Sequence, residues 1–178
     1  TTINFDKTSK GHGWVGIRYQ NSENEDFNEI VIHVKFKETN ATLQQETLGS
    51  LGVNLIYGAY FYADNPRILI ESLYDDISLD RLEIDMIDFN GPGFQYVDNR
   101  LMSLQLVKLG MTDAVIFNSE GNNMLPADIL YKKNIFAVRG SFRPVTKVNI
   151  DMFEQGLEMF NKDNACDSYN TQILFEIT

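Results

Sequence analysis

Cysteine is nearly absent from this chain: Cys166 stands alone, so no internal disulfide can form. Small secreted domains stapled by disulfides are thereby excluded, and we expect a cytoplasmic protein. Cys166 lies between acidic residues in the stretch 163–167, and negative neighbours disfavour a thiolate. We therefore expect an incidental surface cysteine rather than a catalytic one.

Histidine is almost as scarce, and long apolar runs are missing. His12 and His33 are the only two histidines, too few for a zinc site or a catalytic triad. We expect no metal ion. No residue pattern in the sequence requires a cofactor, and the identity of any cofactor stays unknown. The longest apolar run, 51–63, is broken by two glycines and an asparagine, so we expect no membrane-spanning helix.

Basic residues are outnumbered by acidic ones. Fifteen Lys and Arg stand against 25 Asp and Glu, which gives a net charge of -10. Such a surface repels phosphate backbones and anionic lipids, so we expect neither a nucleic-acid partner nor a membrane. The usual effect of such a net negative charge is to keep a protein soluble.

The overall composition is typical of a globular protein, and the length suits one domain. The chain has 178 residues, of which 43% are hydrophobic and 22% charged. We expect a loose N-terminal arm over 1–11 and a single α/β domain over 12–178. Because the chain begins with Thr1 and not Met, we interpret it as a segment of a longer parent chain.

Hydrophobic periodicity alternates along the chain between two residues and about 3.6 residues. The first pattern predicts strands over 14–20, 29–36, 81–89, 114–117, 135–138 and 172–177. The second predicts helices over 42–60, 67–76, 98–109, 126–131 and 149–160. Helices between strands imply crossovers. The predicted fold is mixed α/β, with a mainly parallel sheet, helices packed on its faces and an antiparallel hairpin at the N-terminal edge.

The helix predicted over 42–60 carries glycine on its apolar stripe. Thr42 is placed to cap it, and Gln45 completes a capping box. Gly49 and Gly52 lie on or beside the stripe, where a missing side chain lets another backbone approach closely. We expect close packing there, in the core or against a second copy, and a homo-oligomer through residues 42–62.

Three predicted strands end in loops that contain glycine, at 90–93, 118–123 and 139–144. In open α/β sheets, ligands bind beyond the carboxyl ends of the strands, so three such loops at one rim predict a pocket. Glycine also ends strands simply because turns need it, and that interpretation stays open.

The third loop is the richest in groups that bind anions. Gly140 lets backbone amides approach, Ser141 and Thr146 offer hydroxyls, and the following helix offers free N–H groups. Two arginines could clamp a phosphate or carboxylate. We therefore predict a site for a phosphate-bearing small molecule, made of Arg139, Gly140, Ser141, Arg143, Thr146 and Asn149. The alternative is that both arginines pair with surface acids.

Acidic side chains on one predicted strand form a weaker candidate. Glu83 and Asp85 share one face of the strand, while Ile84 and Met86 lie on the other. With Asp88 nearby, these carboxylates could hold Mg²⁺. A solvated strand face is the alternative, and we favour it.

Residues 140–160 resemble the opening motif of the nucleotidyltransferases. Phosphopantetheine adenylyltransferase and nicotinate-nucleotide adenylyltransferase begin with a strand, then Gly-Ser/Thr-Phe-Asp-Pro, then Thr/His-x-Gly-His on the first helix. In that family the Thr or His and the final His bind ATP phosphates. The matching positions are Ser141, Phe142, Pro144 and Thr146.

Three positions depart from that motif. Arg143 replaces the Asp, Val148 replaces the Gly, and Asn149 replaces the final His. Asparagine can hydrogen-bond but cannot carry a proton's charge. The resemblance therefore implies adenylyl transfer through a degenerate Thr-x-Gly-His motif.

A second resemblance covers most of the chain. The chain is similar to one segment of a long, uncharacterised bacterial protein family, whose members are labelled nicotinate-nucleotide adenylyltransferase or TonB-dependent receptor. The segments that carry the likeness are 12–18, 51–59, 97–106 and 139–151. The resemblance implies a larger parent chain.

Three functions stay open, and the catalytic residues stay unknown. The first is a binding or assembly module that binds a phosphate-bearing small molecule at the 139–146 loop. The second is a nucleotidyltransferase-like enzyme that uses the same loop. The third is a purely structural domain that self-associates through its glycine-bearing helix.

Overall fold

A computed structural model of the chain describes residues 10–162 and 170–177. The chain divides into two compact units, Thr1–Leu125 and Pro126–Thr178, and each is described by itself. The single domain expected over 12–178 stays a prediction. Most of the predicted arm, and Cys166, lie outside the described residues.

The first unit is built on a three-stranded antiparallel sheet in the order β1-β2-β3. Its strands are β1 (His12–Tyr19), β2 (Asn28–Phe36) and β3 (Leu82–Asn90). β1 and β2 form the predicted N-terminal hairpin, with His12 opposite Lys35. Helices and strands are both present, so the mixed α/β class is confirmed.

Two helices connect β2 to β3, as predicted: α1 (Ala41–Phe61) and α2 (Pro66–Ser72). α2 runs back along α1. The Asn54 amide, in the middle of α1, donates to the Leu73 and Asp75 carbonyls just after the end of α2. A two-helix connection returns the chain to the end of the sheet that it left, so β3 runs antiparallel to β2. A single crossover helix would favour a parallel pair.

The predicted mainly parallel sheet therefore does not describe the first unit. β1 with β2 and β2 with β3 pair antiparallel, and so does the short hairpin of β4 (Ile116–Phe117) and β5 (Asn123–Met124). Within the described residues, parallel pairing is confined to two strands of the second unit.

Local helix signals are only partly confirmed. Pro66 is the first residue of α2, as predicted. Asn40, not Thr42, caps α1, because its side-chain oxygen accepts from the backbone N–H groups of Thr42 and Leu43. The predicted cap lies two residues after the observed one.

The core of the first unit lies between the inner face of the sheet and the helices α1, α2 and α3 (Asn99–Lys108). Burial of these apolar side chains is the main favourable term that holds the layers together. Its fully buried members are Ile30, Ile32, Val34, Leu51, Leu69, Ile70, Leu73, Leu82, Ile84, Ile87 and Leu106.

Close packing of α1 occurs at a different glycine from the two predicted. Apart from the backbone of α1 itself and the neighbouring residues, no atom of the described residues lies within 4 Å of the place where a Cβ would stand at Gly49 or Gly52. At Gly58, a Cβ would lie 3.1 Å from Leu69 Cγ and from Ser72 Oγ. Gly58 therefore permits the approach of α2, and the predicted core contact at Gly49 and Gly52 is wrong.

A β-bulge changes which side chains of β3 face inward. The register shifts between His33 and Val34, so that Asp85 is the extra residue of the bulged strand. Beyond the bulge, Ile87 and Phe89 point into the core, and Met86 is not among the buried residues. The inward position predicted for Met86 is therefore wrong.

The second unit contains the short helix α4 (Pro126–Leu130) and a β-α-β unit. The β-α-β unit consists of β6 (Asn134–Gly140), α5 (Lys147–Lys162) and β7 (Thr171–Ile177), with β6 and β7 parallel. Phenylalanine rings of the strands and α5 pack together, with centroids 5.4–5.9 Å apart. Gly156 admits the Phe136 ring, which a Cβ there would approach to 3.0 Å.

In the part of the chain that the structure describes, no helix has the length and apolar character needed to cross a bilayer.

Candidate functional site

The first unit carries a cleft of about 690 Å³ beside the edge strand β3. Three segments line it: the outward side of β3, residues 95–100 before and at the start of α3, and residues 120–123 of the β4–β5 loop. Small-molecule sites in proteins are usually clefts of this size. The volume alone therefore suits a small molecule.

Of the three glycine loops predicted to share one rim, only 118–123 lines this cleft. The 90–93 loop has a packing role, because the Gly93 N–H donates to the buried Asn28 side chain at 2.8 Å. Gly91 has a φ of 112°, and a Cβ there would meet the backbone of Phe27 and Asn28. The 139–144 loop belongs to the second unit.

Asn99 holds the start of α3 against β3. Its Oδ1 accepts from the Phe89 N–H at 2.9 Å, and its Nδ2 donates to the Phe89 carbonyl at 3.0 Å. The same Nδ2 donates to Asp88 Oδ1 at 2.7 Å. Asn99 thus occupies the hydrogen-bonding edge of β3 and fixes the Asp88 carboxyl at the cleft wall.

Asp88 is the half-buried acid of the cleft. Burial raises its pKa above the usual range, and the negative charge of Glu29 raises it further. Its Oδ1 is taken by Asn99, and no described residue donates a hydrogen bond to Oδ2. The carboxylate therefore keeps one acceptor for a ligand.

Arg100 is the one basic residue among the described residues that line the cleft, and its charge is already matched. Its Nε and Nη2 donate to the two oxygens of Asp98, at 3.0 and 2.8 Å. The hydrogen bonds from Arg100 lower the Asp98 pKa to about 2. Asp98 and Arg100 form a neutral pair, which leaves Asp88 and Glu120 as the uncompensated charges.

The loop wall adds acceptors. Asn118 Oδ1 accepts from the N–H groups of Glu120 and Asn122, at 3.0 and 2.8 Å, and so shapes the turn. Asn123 Nδ2 donates to the Ile87 carbonyl, while its Oδ1 is buried and has no partner among the described residues. A buried amide oxygen without a partner is costly.

A second polar cluster lies on the outer face of the same sheet. Asp85 Oδ1 lies 2.6 Å from His33 Nδ1, and Oδ2 lies 2.6 Å from Lys35 Nζ. At this distance Lys35 and Asp85 form an ion pair. Trp14 packs edge-on against the His33 ring at 5.0 Å.

The burial of this cluster indicates a structural role, because ligands cannot reach its central side chains. The Asp85 side chain is 1% exposed and that of His33 is 5% exposed. Burial raises the Asp85 pKa, but the hydrogen bonds and charges of His33 and Lys35 outweigh it, and the pKa lies below its usual value. The solvated face favoured for Asp85 is therefore wrong.

The magnesium hypothesis for Glu83, Asp85 and Asp88 finds no support in the geometry. Within residues 10–162 and 170–177, no three His, Cys, Asp or Glu side chains are grouped so that they could hold a metal ion. Asp85 is committed to His33 and Lys35, and Glu83 accepts from Thr112 Oγ1 at 3.0 Å.

The predicted anion site at 139–146 lies in the second unit, and three of its six residues already have side-chain partners: Arg139, Thr146 and Asn149. Arg139 Nη2 pairs with Glu176 Oε1 at 2.8 Å across the β6–β7 ladder. Phe142 fills the space at Gly140, since a Cβ there would lie 3.3 Å from its ring. Ser141 and Arg143 are exposed, and Arg143 forms no ion pair within the described residues.

Thr146 and Asn149 satisfy each other at the start of α5. Asn149 Oδ1 accepts from the Thr146 N–H at 2.9 Å and from its hydroxyl at 2.7 Å. The Thr146 hydroxyl oxygen accepts in turn from the Asn149 N–H at 3.3 Å. This reciprocal pattern is a capping box. The anion site therefore stays a prediction, and the structure gives these two residues a capping role.

Comparison with protein-family models, with curated proteins and with solved structures finds no match to this chain. The cleft has to be interpreted from its own chemistry.

Sequence reasoning missed Asn99, Asn123 and the closed Asp85 cluster. One signal was available: apolar residues on β3 fall at 82, 84, 86, 87 and 89, and the adjacent pair at 86 and 87 interrupts the alternation, as a bulge does. The partnership of Asn99 with the edge of β3 leaves no such signal, because it joins segments whose approach depends on the fold.

Proposed function

We propose that this chain is a binding module, and that the cleft beside β3 takes a small ligand with a positively charged, hydrogen-donating group such as an ammonium or guanidinium. The observation that carries the proposal is the excess of unpaired acidic side chains over basic ones in the cleft. The carboxylates of Asp88 and Glu120 line it, while its one basic residue is held by Asp98.

Electrostatics favours a cation over an anion here. Asp88 and Glu120 carry the uncompensated charge, and the whole chain has a net charge of -10. A phosphate in this cleft would be repelled, whereas an ammonium group would gain charge-assisted hydrogen bonds. The phosphate-bearing ligand proposed for 139–146 needs its own test, because that loop is a separate site.

The pH dependence of binding follows from Asp88. Only the ionised carboxylate attracts a cation, and burial raises the Asp88 pKa. Binding should therefore be full well above that raised pKa and should weaken as the pH falls through it. An exposed carboxylate would lose binding only at a lower pH.

The test uses putrescine, with 1,4-butanediol as a neutral molecule of the same length and sulfate as an anion. We expect thermal stabilisation that saturates with putrescine and is absent with the other two. Asp88→Asn should abolish the shift and Glu120→Gln should reduce it. Asp151→Asn, on the exposed face of α5, is the matched control and should leave it unchanged.

Two results would reject the proposal. One is equal stabilisation by putrescine and butanediol. The other is an undiminished putrescine shift in Asp88→Asn, which would place the cation elsewhere on the acidic surface.

A further inference from the structure

Helix α1 exposes an apolar face to solvent in addition to the one that it buries. Val53, Ile56 and Tyr60 are 65%, 61% and 81% exposed, and Tyr57 and Phe61 are about half exposed. The opposite side of the helix, with Leu51 and Leu55, lies in the core. Helices that are apolar all round are normally buried on both sides.

The exposed stripe along α1 has glycines in its N-terminal half and large side chains in its C-terminal half. Gly49, Val53, Ile56 and Tyr60 follow each other at spacings of four, three and four residues, which keeps them on one line of the helix. Gly52 flanks this line in the N-terminal half and Tyr57 flanks it in the C-terminal half. Space is open at both glycines, because no atom of the described residues outside this stretch of α1 lies within 4 Å of a Cβ built there.

We propose that this stripe binds a second copy of the chain, with the two α1 helices antiparallel about a two-fold axis. A two-fold interface pairs residue i with residue j and j with i. With the axis midway between residues 54 and 55, Gly49 meets Tyr60 and Val53 meets Ile56 along the centre of the contact.

This register fills space that a parallel arrangement leaves empty. Each Tyr60 ring lies over Gly49 of the other copy, where the missing side chain gives it room. Parallel helices would place Tyr60 against Tyr60 and Gly49 against Gly49, which crowds one end and leaves a void at the other. Packing at native density therefore favours the antiparallel pair.

Charge and area agree with a second copy as the occupant. Residues 49–61 contain no charged side chain, so two copies of an acidic protein meet here without like charges in contact. The exposed apolar side chains offer on the order of 600 Å² per copy. Two such faces exceed the roughly 1,000 Å² of total area that a specific interface needs.

The first experiment measures the mass of the chain by analytical ultracentrifugation over a range of concentrations. We expect a reversible monomer–dimer equilibrium that strengthens with added salt, because salt screens repulsion between two chains of charge -10. Ile56→Asp should weaken association at least about tenfold. Val148→Asp changes an apolar residue of α5 that is more exposed than Ile56 and should leave the dissociation constant unchanged.

The second experiment tests the register in a Cys166→Ser background. In the antiparallel pair, the two copies of residue 53 lie about 5 Å apart along the axis, and the two copies of residue 60 lie about 16 Å apart. Oxidation should therefore cross-link Val53→Cys and not Tyr60→Cys. A chain that stays monomeric at millimolar concentration, or a cross-link through Tyr60→Cys and not Val53→Cys, would overturn the proposal.

Discussion

Asp85 and His33 face each other across the β2–β3 ladder, with 2.6 Å between Oδ1 and Nδ1. The bulge makes this contact, because it inserts Asp85 as an extra residue opposite the step from His33 to Val34. Lys35 meets the second carboxylate oxygen from the same strand as His33. A charge that would be costly to bury alone is thereby paired on both oxygens.

Asp85→Asn should destabilise the first unit by about 2–3 kcal/mol at neutral pH, since it removes the buried partner of Lys35. The folded pKa of Asp85 lies below its unfolded value, so its contribution is full above the unfolded pKa and is lost as the pH falls through the folded pKa. Urea unfolding at pH 7 and near pH 3 measures both. The difference between wild type and variant should shrink at the lower pH, and a constant difference would contradict the assignment.

The glycines of α1 give a matched pair of substitutions. Gly49→Ala should stabilise the monomer by about 0.5–1 kcal/mol, because a Cβ there meets no atom and alanine is the better helix former. Gly58→Leu should destabilise by about 1–3 kcal/mol, because Leu69 and Ser72 are buried against that position. Urea midpoints at a concentration where the chain is monomeric check both. Equal effects at the two glycines would show that α2 does not pack at Gly58.

Much of the first unit could be predicted from periodicity, since patterns within one element report on that element alone. The hairpin and α1 lie within one or two residues of their predicted ends. The antiparallel direction of β3 could not be predicted in the same way. It depends on α2 turning back along α1, and that turn depends on contacts such as Gly58 with Leu69, which join distant positions.

The cleft was harder to predict for the same reason. The Asp88 carboxyl, Asn99 and Asn123 come from three segments, and each looks like an ordinary polar residue in its own segment. The 139–146 loop shows the opposite case. Its composition suggested an anion site, but Thr146 and Asn149 have the spacing of a capping box as well, and local capping needs no ligand.

Asn99→Ala should destabilise the first unit by about 1–3 kcal/mol, because it leaves the Phe89 N–H and carbonyl without the partners that Asn99 supplies. Asn122→Ala, at an exposed position of the β4–β5 loop, is the control and should stay within about 0.5 kcal/mol. Hydrogen exchange adds a local measurement, in which the Phe89 amide should lose protection. Retained protection in Asn99→Ala would mean that another group covers the edge of β3.

Adenylyl transfer should be absent. The nucleotidyltransferase motif ends in a histidine, and Asn149 stands there with its oxygen already bound to Thr146. Loss of one preorganised donor to a developing charge typically costs about 10²–10³ in rate. The assay measures pyrophosphate release from ATP with phosphopantetheine or nicotinate mononucleotide as acceptor. Release above the level of a heat-denatured control would contradict this prediction.

Anion affinity at the 139–146 loop should depend on competition between Glu176 and the ligand for Arg139. The Arg139–Glu176 pair is exposed, and exposed pairs contribute only about 0–1 kcal/mol, so sulfate can compete with it. Glu176→Gln frees the guanidinium and should strengthen the thermal stabilisation by sulfate, whereas Arg139→Ala combined with Arg143→Ala should abolish it. Arg67→Ala, on α2 of the first unit, controls for loss of positive charge alone. If Glu176→Gln and the double substitution both leave the sulfate response equal to that of wild type, the loop does not bind anions, and its arginines serve the surface of the second unit.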